Sequence, residues 1–169
     1  MSETPLQPSD RVASVPESGI RRFFEVAAEM DDVVSLGVGE PDFATPYRAR
    51  EAAIDSLQRG QTSYTANKGM VELRERIADH VTRYGLEYDP GEEIIVTAGA
   101  SEAIDATFRA LVNPGDSVAI AQPAYVSYEP GVRFAGGEPL PVETRAEDEF
   151  VLTRERLEAA GAQDAELLV

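Results

Sequence analysis

Apolar residues in the first half of this chain recur mostly at three- and four-residue steps, and from Glu93 onward such stretches alternate with short β-branched runs. Ile20, Phe23, Phe24 and Ala27, behind Ser18-Gly19, make one helical stripe. Val33–Val38 reads as a short strand. Thr45-Pro46 then has the form of an N-cap followed by proline at the first helical position. The helix it opens carries Ala49, Ala53, Ile54 and Leu57, and Gly60 ends it. Residues 61–69, QTSYTANKG, form a polar loop. Met70, Leu73, Ile77, Val81 and Tyr84 predict a further amphipathic helix that stops at Gly85.

The second half changes rhythm. Strands are predicted at Glu93–Thr97, Ser117–Ala121, Pro139–Glu143 and from Glu166 to Val169. Between them lie helices over Ser101–Val112, over Ala124–Ala135 with a break or kink at Pro130, and over Thr153–Ala160. Asn113-Pro-Gly-Asp116 is a turn. Strand and helix alternating at this spacing imply crossover connections, hence an α/β fold with a mostly parallel sheet flanked by helices. Ligands of such sheets sit off the carboxyl ends of the strands. Residues 1–16, polar with three prolines, are expected to form an extended arm. The last predicted strand keeps an apolar edge with nothing to cover it, from which a truncated chain is expected.

Composition narrows the function. The 169 residues, 43% hydrophobic, suffice for a sizeable core. Thirty-one acids against fifteen bases give a net charge of −16, which disfavours nucleic acid and anionic membrane as partners. No apolar run is long enough to cross a bilayer, and the first residues do not resemble a signal peptide, so a cytoplasmic location is expected. Without cysteine there is no thiolate nucleophile or metal site, and His80 has no second histidine to share a metal with. Fourteen of the fifteen bases are arginine, and Lys68 is the only lysine. A surface so rich in acid and poor in lysine suits high salt, where self-repulsion is screened; an ordinary acidic protein is the alternative.

Four places could carry chemistry. Thr97-Ala-Gly-Ala-Ser-Glu102 joins a predicted strand to a predicted helix through small residues. Its backbone N–H groups and the Ser101 hydroxyl could cradle a phosphate at the positive end of the helix dipole, or Ser101 could simply cap the helix. Tyr125, after the second strand of the alternating part, could lie on a planar heteroaromatic ring or pack in the core. Tyr64, in the polar loop, could donate to a phosphate or be an ordinary loop tyrosine. In Ser35-Leu-Gly-Val-Gly-Glu-Pro-Asp-Phe43, two glycines, a proline and two acids follow a short apolar run, more than a bare turn needs. The same stretch lacks the third glycine of a dinucleotide loop, and no loop in the chain ends in Gly-Lys-Ser or Gly-Lys-Thr, which excludes a P-loop.

Taken together, SLGVGEPDFATP, TSYTANKGMVELRERIA, IIVTAGASEAI, NPGDSVAIAQPAYVSY and VRFAGGEPLPV, in this order and spacing, closely resemble the N-terminal part of class I aminotransferases, the pyridoxal-phosphate enzymes of the aspartate aminotransferase fold. The resemblance runs over residues 17–169. It implies an arm and small-domain segment over residues 1–46 and an incomplete cofactor-binding large domain over 47–169. It implies that Gly39 offers its N–H to the substrate α-carboxylate, and that Ala100 and Ser101 hold the phosphate of pyridoxal 5'-phosphate. Alanine stands at position 100 where the family more often has a second glycine. Tyr125 would stack on the pyridine ring, and Tyr64 would reach the phosphate of a partner subunit in a homodimer. The lysine that forms the family's aldimine lies far downstream of the matched part, and Lys68, placed before the phosphate loop, does not correspond to it. The resemblance thus implies transfer of an amino group between an amino acid and a 2-oxo acid, with no catalytic residue in this chain and no activity by the chain alone. Another enzyme of the same fold, such as a carbon–sulfur lyase, and a non-catalytic partner retaining only the fold are the rival readings. A transcription regulator with such a domain would need a basic DNA-binding helix pair, which is absent.

Overall fold

Three parallel strands, β1 (Ser117–Gln122), β2 (Glu138–Glu143) and β3 (Leu167–Leu168), form a sheet in the order β2-β1-β3 in the computed structural model of the chain. The structure describes residues 6–17, 19, 23, 26, 29–30, 33–34, 39 and 41–169. Among them are six α-helices: α1 (Asp10–Ala13), α2 (Tyr47–Gln58), α3 (Val71–Val81), α4 (Ala100–Leu111), α5 (Tyr128–Ala135) and α6 (Arg154–Ala159). Contacts divide the chain into two units, residues 1–19 with 98–169, and residues 20–97.

The first unit is built on β1. Its residues alternate between two faces, and both faces are covered, so the strand reads as an unbroken apolar run. Val118 and Ile120 pack with Phe108 and Val112 of the α4 end and Val132 of α5. Ala119 packs on the other side with Val142 of β2 and Ala162, with Leu157 of α6 beside them. Val118, Val132 and Val142 are fully buried. Helices α4 and α5 come close because Gly131 has no side chain: a Cβ there would lie 2.9 Å from Cδ2 of Phe108. The predicted turn at 113–116 holds through Asp116, whose carboxylate accepts from the backbone N–H of Asn113 at 2.7 Å and from its side-chain amide at 3.0 Å. That tight turn sends β1 back antiparallel to α4, which sets the N-terminus of α4 at the carboxyl end of the sheet.

Several expectations need correction. Glu93–Thr97 is not a strand. Ile94 is buried, but the segment runs beside no strand, and Val96 N–H donates instead to the Lys68 carbonyl at 3.0 Å. Pro130 neither breaks nor kinks a helix, because α5 begins only at Tyr128. Pro130 is then its third residue, where an N–H would have no carbonyl four residues back in any case. Pro46 occupies the N-cap of α2 rather than its first turn, and the expected extended arm contains the short α1. Val33 and Val34 are exposed and not in a strand, while 35–38 lie outside the described residues. Of the expected first helical stripe, Phe23 is helical and exposed, and Ile20, Phe24 and Ala27 also lie outside them.

The outer edge of β2 is closed. The N–H groups of Glu138 and Thr144 donate to Asp116 and Gln122 at 2.8 and 2.9 Å. By the two-residue alternation of a strand, the even-numbered residues therefore address β1, and Pro139, Pro141 and Glu143 address the outside. The prolines have no donor to offer there, and the Glu143 carbonyl accepts from Nη1 of Arg156 on α6 at 3.2 Å. Proline on an outward register position prevents a further strand from pairing. Replacing Pro139 and Pro141 together with threonine restores two outward donors. Sedimentation velocity should show concentration-dependent self-association of the double variant, and a variant that sediments like the parent would refute this role.

Candidate functional site

The first turn of α4 follows Gly99, the N-cap, at φ 88° and ψ 172°, a conformation that residues with a Cβ rarely adopt. The first helical bond beyond it is Ala103 N–H to the Gly99 carbonyl at 3.4 Å. The N–H groups of Ala100 and Ser101 precede that bond, so no helical carbonyl stands four residues behind them, and the glycine N-cap offers no capping side chain. Ser101 is the second helical residue, not the cap, which leaves its hydroxyl beside those N–H groups. Glu102, the one acid of this turn, accepts from the Ala98 N–H just before the cap, and that donor partly offsets its charge. The result is a set of donors facing outward at the positive end of the helix dipole.

Tyr125 arrives from the loop after β1, beyond a cis bond between Gln122 and Pro123. Because α4 and β1 run antiparallel, this loop and the first turn of α4 share one end of the sheet. Tyr125 is neither core nor fully solvated, with 47% of its surface exposed. Hydrogen bonds from the hydroxyl of Ser127, and then from that of Ser101, hold its phenol below the usual tyrosine range against a small opposing effect of burial. Its ring meets that of Tyr128 edge-on, with centroids 5.6 Å apart and an interplanar angle of 85°. Tyr128 in turn packs on the core of Phe108, Val118 and Val132, and its N–H donates to the Tyr125 carbonyl at 3.1 Å. Sequence reasoning missed Ser127 and Tyr128. The signal was Tyr-Val-Ser-Tyr itself, where one turn of chain brings the first and fourth residues together.

The structure thus joins Ala100, Ser101 and Tyr125 in the first unit. Tyr64 and Gly39 belong to the second. Tyr64 is fully exposed. Gly39 is also exposed, and no described atom lies within 4 Å of where a side chain would begin. Lys68 is committed locally, with Nζ donating to the Gly91 carbonyl at 2.9 Å and to Glu92 at 3.1 Å. His80 stands beside Tyr84, ring centroids 6.1 Å apart. Among the described residues no group of three acids or histidines could hold a metal, and no helix is long and apolar enough to cross a membrane. A flat group bearing a phosphate fits the arrangement at α4: outward N–H donors, a serine hydroxyl, and an aromatic ring held beside them with free surface.

Fold and site define a class. The family described as aminotransferase class I and II matches residues 31–169, and the chain belongs to it. It is 51% identical over 153 residues to a putative aminotransferase, YugH, of Bacillus subtilis, covering 90% of this chain and 40% of that protein. It is 43% identical to an aspartate aminotransferase of Pyrococcus abyssi, covering 95% and 42%. Among solved structures, the aspartate aminotransferase of Rhizobium meliloti superposes with a TM-score of 0.87 at 37% identity, covering 97% of this chain and 42% of that one. The chain has the aspartate aminotransferase fold and spans about two-fifths of the length of these relatives.

The Tyr125 environment predicts a pH effect. A phenol titrating lower in the folded chain than in the unfolded one binds fewer protons when folded, so it adds stability above the unfolded value, lost as pH falls through the folded one. Ser127→Ala should raise the Tyr125 titration towards the ordinary range, and by more than Ser101→Ala, read from the tyrosine Cζ resonance. Equal titration in all three proteins, or a larger effect from Ser101, would contradict the assignment.

Proposed function

We propose that the chain is the N-terminal part of a pyridoxal-phosphate-dependent aminotransferase that moves an amino group between an amino acid and a 2-oxo acid. One observation carries this reading: the first turn of α4, with the Ser101 hydroxyl, stands beside the ring of Tyr125. Ala100 and Ser101 hold the phosphate through two N–H groups and a hydroxyl, and Tyr125 sets the plane in which the pyridine ring lies. Bound pyridoxal phosphate supplies the electron sink for the reaction. Gly39 gives its N–H to the substrate carboxylate, and residues 1–46 and 47–169 belong to the small and large domains. The amine that moves the proton comes from a segment other than Lys68, whose Nζ is engaged by Gly91 and Glu92. The aspartate aminotransferases among the relatives favour transamination over carbon–sulfur lysis or a non-catalytic role.

The enzyme works in the cytoplasm as a homodimer, in which Tyr64 serves the partner subunit's cofactor. A fully exposed tyrosine in a polar loop suits contact with a second subunit. Replacing Tyr64 with phenylalanine in the full-length enzyme removes one hydrogen bond to a charged phosphate, worth roughly 1.5–3 kcal/mol. Cofactor affinity should fall about tenfold or more. Mixing Tyr64→Phe with a variant lacking the downstream lysine should restore transamination, because one site of the mixed dimer collects both lesions and the other neither. A wild-type enzyme unable to transaminate would overturn the reading, and no recovery despite subunit exchange would remove Tyr64 from the shared site.

A further inference from the structure

We propose that Arg74 is a positioning residue that clamps the end of the 61–69 loop, and through it Tyr64, onto residues 90–96. Arg74 is buried, with 6% of its surface exposed, yet it lies near the N-terminus of α3, where the helix dipole disfavours a cation. A buried arginine is ordinarily paired with an acid. Here its partners are carbonyls. Nε donates to Gly69 at 3.3 Å, and Nη1 donates to Pro90 and to Gly91, the latter at 3.2 Å. The planar guanidinium thus bridges two chain segments that are far apart in sequence.

The neighbouring contacts point the same way. Lys68 adds its own donations to Gly91 and Glu92, and its carbonyl accepts from Val96 N–H. Gly69, at φ 92°, lies so close to Val96 that a Cβ would be 2.7 Å from Cβ of Val96. Gly69 N–H reaches back to the Ala66 carbonyl at 2.8 Å, two residues from Tyr64. Tyr64 itself is solvated, so its place depends on this backbone. Lys68 is too exposed to hold the loop alone, with 41% of its side chain accessible. Removing Arg74 leaves the Gly69 and Pro90 carbonyls short of that donor, leaves Gly91 to Lys68 alone, and unties Gly69. The clamp stands without the cofactor reading; only its service to Tyr64 rests on that reading.

Because Lys68 is the only lysine, a lysine-specific protease cuts this chain at the Lys68–Gly69 bond alone. Cleavage there should speed up at least tenfold in Arg74→Met. Arg74→Gln, which keeps one amide donor, should fall between Met and the parent. Cleavage by an arginine-specific protease at Arg109, Arg133 and Arg154 in the first unit should stay unchanged in both variants. An unchanged rate at Lys68 would overturn the clamp. So would parallel increases at every site in both variants, which would make Arg74 a general core residue. The assay uses no cofactor, so failure of the aminotransferase reading leaves its outcome untouched.

Discussion

The first N–H groups of α4 have no helical carbonyl behind them, and the proposed phosphate site depends on what is allowed to face them. An uncapped helix end in water is merely solvated. Here Gly99 takes the cap position without a side chain, Glu102 is drawn back to Ala98, and Ser101 stands one residue inside the helix. Glycine at the cap and serine inside the helix leave the N–H groups of Ala100 and Ser101 to an outside anion, while Glu102 takes up only the Ala98 donor.

Aiming those donors is a task of the core. Phe108 and Val112 fix α4 under β1, and Asp116 turns the chain so that helix and strand are antiparallel. The loop after β1 must then emerge at the same end as the first turn of α4, and Tyr128, seated in that core, carries the Tyr125 ring with it. Burial thereby becomes geometry at the site. Closure of the β2 edge by Pro139, Pro141 and Arg156 leaves no outward donor there for a further strand to pair with.

Elements set by burial were legible from the sequence. β1, buried on both faces, and α4, with Ile104 and Phe108 on its buried side, appear within a residue of where the apolar pattern puts them, although Leu111 at the end of that stripe is exposed. Segments whose state depends on a distant partner were not. Ile94 to Val96 has strand composition, but composition does not supply a neighbouring ladder, and the Val96 N–H donates to the Lys68 carbonyl of a loop. Pro130 was misread because its effect depends on where the helix starts. At the site, Ala100, Ser101 and Tyr125 were readable as motif positions. Ser127 and Tyr128 were not, since their part is to hold another residue, and that is visible only once the turn is folded.

In the proposed reading this chain receives a phosphate at the first turn of α4 and keeps its only lysine out of the chemistry. Backbone amide NMR of the chain titrated with pyridoxal phosphate tests both parts at once. The largest shifts should fall on Ala100 and Ser101, with Tyr125 ring resonances moving in step and those of Lys68 unmoved. Shifts centred on Lys68 and its loop, with α4 unaffected, would contradict it.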